Sequence, residues 1–396
     1  MIPVFLFFID GFGIGEPDPG KNPFLKARLP ALTQLWGHQP GVRPSPGWGR
    51  IPLFTPENPP EINPEKKGWP SALSRGLGTV YATDARLGVP GLPQSATGQV
   101  TIFTGQNAAR FMGEHINGRP AGQLADLLTR DNIYTRAVQA GWRATFLNAY
   151  RPEFFQYFHS DNPRIPKEVA RLARAVVMAA GSKEVSLLRS SQEDHPSGEG
   201  GATGAKKGML LEDNSKVDSE EKVFPQKRYR PSVTTLAVAS AGLPFRSFDD
   251  LEAGQAVYQD ITHWTLQGRY PVEPIPPQEA GRRAARLAKG FDLAVFEHFW
   301  TDRAGHSGEM AEAIRILEIL DGFLQGLLEV IDLSTSLLII TSDHGNIEDL
   351  STGTHTANPV PTIIAGPQEV IPAEVPDLTH IAPLIGRCLG LLRESH

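Results

Sequence analysis

Two uninterrupted apolar runs, each closed by an aspartate, constrain the fold more than any other feature of the chain. Ile2-Pro3-Val4-Phe5-Leu6-Phe7-Phe8-Ile9 stops at Asp10, and Ser336-Leu337-Leu338-Ile339-Ile340-Thr341 leads directly into Ser342-Asp343-His344. A strand with no polar alternation has both faces covered, the condition met in α/β sheets with helices on either side. The N-terminal run is too short to span a membrane and has no basic leader of the kind a signal peptide carries, so it reads as a buried parallel strand. Comparable strand signals occur at Ala144 to Asn148, Leu293 to Glu297 and Pro359 to Ala365, and helix-like stretches at Tyr134 to Ala140, Gln278 to Lys289 and Ala311 to Val330 precede the strands. This alternation predicts an α/β fold with a mostly parallel sheet flanked by helices. Ligands of such sheets sit beyond the carboxyl ends of the strands, where Asp10, Asp302 and Asp343 would fall.

The chain has 396 residues, 40% of them hydrophobic, enough for one large core and an insertion. From 182 to 227 the composition turns to Ser, Gly, Glu, Asp and Lys, which predicts a disordered stretch. The Pro- and Gly-rich segment 37–70 reads as a long irregular loop with Trp48 and Trp69 as packing points. The expected organisation is a core built from 1–150 and 275–396, interrupted by a smaller cap or insertion over 151–274. A formal net charge of −6 provides no basic field for nucleic acid, so a small anionic substrate must be held by local positive charge, metal ions included. No other segment approaches the length of a membrane helix, and no membrane partner is expected. The single cysteine, Cys388, excludes an internal disulfide framework and a cysteine-rich zinc site, which fits a reducing compartment, with the cytoplasm as the expected location. Nothing in the sequence specifies an oligomeric state.

Three polar clusters stand at strand ends. Asp343-His344-Gly345-Asn346 offers a carboxylate and an imidazole, and reads either as a capped turn or as half of a cation site. Asp302-Arg303-Ala304-Gly305-His306 places a carboxylate four residues before an imidazole, a spacing that serves one ion on a helical turn and equally serves a helix cap. Thr354-His355-Thr356-Ala357-Asn358 adds a third histidine ahead of the last strand. Together the three favour metal binding. For the nucleophile, Gly91 to Gly105 presents hydroxyls around Ser95-Ala96-Thr97-Gly98 in a turn leading into a helix, whose first backbone amides would attract a phosphate. A serine hydroxyl needs a base or a metal to withdraw its proton, and with no histidine nearby in sequence a metal is the favoured activator.

Phe8-Ile9-Asp10-Gly11-Phe12-Gly13, Ser95 to Gly98, Asp302 to His306, Thr341 to Asn346 and His355 to Pro361 together resemble the alkaline phosphatase superfamily, and within it the cofactor-independent phosphoglycerate mutases and phosphopentomutases. The resemblance covers both ends of the chain and not the middle, from about 115 to 285. It implies an alkaline-phosphatase-like core with an inserted cap, and a two-metal site. Asp10, Ser95, Asp343 and His344 would bind one divalent ion and Asp302, His306 and His355 a second, manganese or zinc. Ser95 would be the catalytic nucleophile, forming a phosphoserine from a small phosphomonoester.

Hydrolysis of that intermediate makes a phosphatase, the reading placed slightly first, and its return to another hydroxyl of the substrate makes a phosphomutase. A non-catalytic metal-binding homologue is the lesser alternative. Sulfate transfer is disfavoured, because Thr97 and Gln99 stand where the sulfatases carry Pro and Arg. Gln99 also replaces the histidine usual in the mutases, and their His- and Arg-rich cap motifs are not found; Arg151, Arg228 and Arg230 are the candidate cap cations. Gly11-Phe12-Gly13-Ile14-Gly15 lacks the spacing of a dinucleotide loop. Asn346, Glu348 and Asp349 are expected to orient the loops around the ligands. Glu114-His115 and Asp260-Ile261-Thr262-His263 receive no role.

Overall fold

The computed structural model describes residues 1–43, 74–159 and 231–391. The stretch 182–227, Trp48, Trp69, Arg228 and Arg230 lie outside these residues. Among the described residues the strands are β1 (Val4–Ile9), β2 (Ser74–Arg75), β3 (Thr79–Thr83), β4 (Ala144–Phe146), β5 (Leu293–His298), β6 (Leu337–Thr341) and β7 (Val360–Ala365). They form one sheet in the order β2-β3-β7-β6-β1-β5-β4. The first apolar run is an interior strand: β1 is parallel to both β5 and β6, with Phe8 opposite Glu297 on one side and Thr341 on the other.

Pleating divides the side chains of β1 between two layers. Val4, Leu6 and Phe8 join a cluster with Val100, Phe103, Leu128 and Tyr134, supplied by the helices Ser95–Thr104, Gln123–Arg130 and Ile133–Gln139. Phe5, Phe7 and Ile9 join a second cluster with Leu35, Ala284 and Phe323, supplied by the helices Pro30–Trp36, Pro277–Ala288 and Met310–Leu328. Burial of each such side chain contributes about 1.5–3 kcal/mol, so a polar residue anywhere in β1 would be costly. The chain can become polar only at Asp10, where the strand leaves the sheet. Within the stretch expected to form the cap, the helix Val233–Ser240 packs Val233, Leu236 and Val238 into the first cluster.

The sheet is parallel across β6, β1, β5 and β4, while β7 runs antiparallel to β6, and β3 antiparallel to β7. A parallel return to the neighbouring position would require a crossover helix. The residues between β6 and β7 instead form a loop that stays at the carboxyl edge and carries Asp343, His344 and His355, so the chain re-enters the sheet from the edge it left. The hairpin of β2 and β3, absent from the sequence reading, pairs through Ser74 with Val80 and Arg75 with Thr79.

The helix Pro30–Trp36 starts after Leu29, which provides no side-chain cap. Its cap comes from another layer: Asp321, 3% exposed on the helix Met310–Leu328, accepts from Ala31 N at 3.2 Å and Leu32 N at 2.8 Å. Asp321→Ala orphans both buried donors and is expected to lower unfolding stability by about 1–3 kcal/mol in urea titration, with Asp321→Asn losing less because it keeps an acceptor oxygen. A loss below about 0.5 kcal/mol for the alanine variant, the range of an ordinary surface substitution, would contradict this role.

Candidate metal centre

Aspartates and histidines separated by hundreds of residues meet above the carboxyl edge of the sheet. Asp10 follows β1 directly, Asp343 and His344 follow β6, Asp302 and His306 lie on the helix Trp300–Ser307 after β5, and His355 precedes β7. Two sets of donors result, in each of which the ligand atoms lie within 4.8 Å of one another: Asp10, Asp343 and His344 in the first, Asp302, His306 and His355 in the second. Ser95 begins the helix Ser95–Thr104, and its hydroxyl lies 3.0 Å from His344 Nε2. The imidazole rings of His344 and His355 stack at 3.7 Å between centroids, so the two sets adjoin. All seven residues singled out from the sequence are thus brought together.

Close approach of the serine helix to the Asp343 loop depends on Gly98, where an added Cβ would stand 2.7 Å from the Asp343 carbonyl oxygen. On the next residue, Gln99 Nε2 donates to Asp343 Oδ2 at 3.1 Å. The expected anion site at the helix start is corrected by the coordinates. Ala96 N and Thr97 N both donate to Ile116 O, at 3.1 and 3.3 Å, because the loop carrying Glu114-His115 folds over that end of the helix. These amides are therefore engaged, and Ser95 contributes through its hydroxyl.

Each histidine faces a backbone carbonyl with Nδ1: His355 that of Pro93 at 3.0 Å, His306 that of Gly353 at 3.2 Å and His344 that of Gly345 at 3.4 Å. A nitrogen facing an acceptor carries a proton, which turns Nε2 of each ring into the cluster. Nε2 of His344 is 3.2 Å from Asp10 Oδ1 and 3.6 Å from Asp343 Oδ2, while Asp302 is 3.4 Å from His306 Nε2 and 3.6 Å from His355 Nε2. Burial, reinforced by the charge of Asp343, raises the Asp10 carboxyl well above its ordinary range. Burial disfavours the His344 cation, yet Asp343 and Asp10 overcome it and hold the imidazole up at about 10. Burial and the neighbouring His344 push His355 down to about 4. An imidazole protonated near pH 7 cannot accept the serine proton. Buried carboxylates crowded together, whose ion-pair partners among the described residues are histidines alone, are the chemistry of a cation site.

Glu348, fully buried, ties the loops together. Its Oε2 accepts from Gly13 N at 3.0 Å and Asn346 N at 2.7 Å, and its Oε1 from Asn358 Nδ2 at 2.9 Å and from the Thr356 hydroxyl. The carboxylate thereby joins the segments after β1, after β6 and before β7. Asn346 in turn donates to Asp302 Oδ1 at 2.7 Å, fixing a member of the second donor set. Asp349 pairs with Lys21 at 3.1 Å. Asp260, by contrast, accepts from His263 N, Thr265 N and the Thr265 hydroxyl and so braces its own turn.

The C-terminal part of the chain, residues 278–391, matches the family described as Metalloenzyme superfamily. This segment contains Asp302, His306, Asp343, His344 and His355, five of the seven converging residues. The 2,3-bisphosphoglycerate-independent phosphoglycerate mutase of Paracoccus denitrificans is 32% identical over 126 residues, 30% of this chain and 25% of that protein. The enzyme of the same name from Cereibacter sphaeroides is 30% identical over 147 residues, 35% of this chain and 29% of that protein. The chain therefore matches only about a quarter of the length of these curated relatives. Among solved structures, the alkaline phosphatase of Thermus thermophilus superposes with a TM-score of 0.47 at 11% identity, over 99% of this chain and 92% of that one, a likeness too distant to bear on activity.

Beside these converging residues opens a cavity of about 1230 Å³, lined by Asp10, Ser95 and Asp302 and also by Arg119, Arg151 and Arg269. Of the three arginines singled out from the sequence, Arg151 is thus at the site, held by its Nε bond to Tyr258 Oη at 2.7 Å. Arg119, Arg269, Asn148, Tyr150 and Glu297 were missed. The last three stand at the ends of strand signals, where the rule that places ligands at carboxyl edges could have found them. Glu348→Gln cannot accept at all four bonds and is expected to weaken divalent-metal affinity about 10–100-fold by calorimetric titration, whereas a change under about 2-fold would show that the loop knot does not support the ligands.

Proposed function

We propose that the chain catalyses metal-dependent phosphoryl transfer on a small phosphomonoester, with Ser95 as the nucleophile that becomes phosphoserine. The observation that carries this reading is the Ser95 hydroxyl, 3.0 Å from His344 Nε2 at the junction of two carboxylate–imidazole sets and open to the cavity. Asp10, Ser95, Asp343 and His344 are assigned to one divalent ion and Asp302, His306 and His355 to the other, with manganese or zinc as the ions that mixed oxygen and nitrogen donors suit. Bound there, the ions supply electrophilic charge that makes the serine acidic and offsets negative charge on the transferring group.

The remaining work belongs to the side chains. Gln99 holds the Asp343 carboxylate in place, Gly98 lets the serine helix approach, and the start of that helix fixes the direction in which Ser95 Oγ points. Arg119, Arg151 and Arg269 supply the local positive charge that a chain of net charge −6 needs to hold an anionic substrate. The departing alcohol then either leaves, as in a phosphatase, or turns within the cavity and takes the phosphoryl group back at another oxygen, as in a phosphomutase. The names of the relatives favour the second outcome over hydrolysis, and intramolecular transfer is the reading put forward here.

Among the described residues no helix is long and apolar enough to cross a membrane, and a cytoplasmic setting is part of the proposal. Incubating the metal-loaded protein with 3-phosphoglycerate, ribose 5-phosphate or glucose 1-phosphate should yield a positional isomer in excess of free phosphate. Chelation should abolish the reaction and Ser95→Ala should lower it about 10³-fold or more. Release of free phosphate alone would replace the mutase with a phosphatase, and full activity of Ser95→Ala would remove the covalent route.

A further inference from the structure

The wall of the cavity carries a continuous line of hydroxyl groups that ends on a carboxyl group. Tyr150 Oη lies 2.9 Å from Thr235 Oγ1, Thr235 Oγ1 lies 2.8 Å from Ser232 Oγ, and Ser232 Oγ lies 3.1 Å from Thr234 Oγ1. Thr234 Oγ1 then donates to Glu297 Oε2 at 2.7 Å. All five residues line the same cavity as Ser95. Glu297 is the penultimate residue of β5 and faces Phe8 across the ladder, beside the strand that delivers Asp10. Its backbone is clamped on both sides by Asn148, whose Oδ1 accepts from Glu297 N at 3.0 Å and whose Nδ2 donates to Glu297 O at 2.8 Å. Among the described residues Glu297 has no cationic partner in an ion pair. A carboxyl group placed with this care in a buried strand, opening on the reaction cavity and assigned to neither donor set, requires a reason.

We infer that Glu297 is a further catalytic residue, the acid and base for the alcohol side of phosphoryl transfer, and that the hydroxyl line beside it receives the further hydroxyls of a polyhydroxylated substrate. The inference rests on the phosphoryl-transfer reading above. In the forward step the Ser95 hydroxyl gives up its proton to solvent, its oxygen forms a bond to phosphorus, and the bond from phosphorus to the alcohol oxygen breaks. The electron pair left on that oxygen takes the proton of the Glu297 carboxyl, leaving Glu297 as carboxylate. For return to another hydroxyl the carboxylate removes the proton of the incoming alcohol, whose oxygen forms a bond to phosphorus as the phosphorus–Ser95 Oγ bond breaks; the serine oxygen takes a proton back from solvent, and Glu297 regains its proton. Burial raises the Glu297 carboxyl to about 7 against the opposing Thr234 hydrogen bond, with the charge of Asp343 adding to the rise, so both forms are accessible near neutrality. The rotating hydroxyls of Ser232, Thr234, Thr235 and Tyr150 can donate or accept as each turned position of the alcohol requires.

Single-turnover phosphorylation of the metal-loaded protein, read as phosphoserine by intact mass, separates this role from a structural one. The probes are p-nitrophenyl phosphate, whose leaving group needs no proton, and whichever of 3-phosphoglycerate, ribose 5-phosphate and glucose 1-phosphate the wild type turns over. Glu297→Gln should slow phosphorylation by the alkyl substrate about 10²–10⁴-fold and that by p-nitrophenyl phosphate less than about 3-fold. In Glu297→Ala, added formate should restore the alkyl reaction in part. Equal losses on both probes, or no loss on the alkyl substrate, overturn the acid–base role while leaving Ser95 chemistry standing. Failure of formate to rescue an alanine variant that still accepts phosphate from the aryl probe also overturns it. Absence of phosphoserine in the wild type with every probe overturns the phosphoryl-transfer reading, and this inference with it.

Discussion

Negative charge confined at the carboxyl edge of the sheet governs this molecule. Asp10 and Asp343 offer oxygens within 4.8 Å of one another in a buried space, with Asp302 close enough to raise both carboxyl groups further. Two unit charges at that separation repel by about 3–4 kcal/mol at an effective dielectric of about 20. The total stability of a domain is only about 5–15 kcal/mol, so the arrangement is tenable when protons or cations accompany it. Protonation relieves the carboxylate repulsion and makes His344 a cation, which leaves that imidazole unable to accept the Ser95 proton. Divalent ions held by the proposed donors would offset the same charge without protonating the imidazole, and their binding would add to folding free energy.

The rest of the fold serves to hold that edge against its own repulsion. An interior strand buried on both faces delivers Asp10, and its parallel neighbours β5 and β6 lead to the other two aspartates. Glu348 then closes three loops with donors that carry no formal charge, binding them without adding a cation that would compete for the site. The fit is tight: a Cβ on Gly13 would stand 2.3 Å from the Glu348 carboxyl group. The antiparallel turn of β7 belongs to the same design, because a loop that remained at the carboxyl edge could bring His355 to the site.

The legibility of the sequence follows from how each element is encoded. Apolar runs such as Val4 to Ile9 and Leu337 to Ile340 announce buried strands locally, and the helices Pro277–Ala288 and Met310–Leu328 lie within two residues of their expected positions. Carboxylates and imidazoles after strand signals drew attention to the site, and the full set of seven donors, Ser95 included, was implied by the resemblance to the alkaline phosphatase superfamily. The direction of β7 was not visible, since parallel and antiparallel strands carry the same residues. The β2–β3 hairpin is short, and its apolar residues at Val80 and Tyr81 merge with the surrounding loop. Occupation of the Ala96 and Thr97 amides by Ile116 is a tertiary contact with no local signature. The line from Tyr150 through Ser232 to Glu297 joins residues up to 147 apart in common residue types, and only coordinates bring them into register.

Metal analysis of protein purified without added ions, followed by calorimetric titration after chelation, tests the central claim most directly. About two divalent ions per chain are predicted, with His306→Ala combined with His355→Ala retaining about one and Asp10→Asn combined with Asp343→Asn losing the ion beside Ser95. Less than one ion per chain in the wild type, or full occupancy in either double variant, would contradict the account.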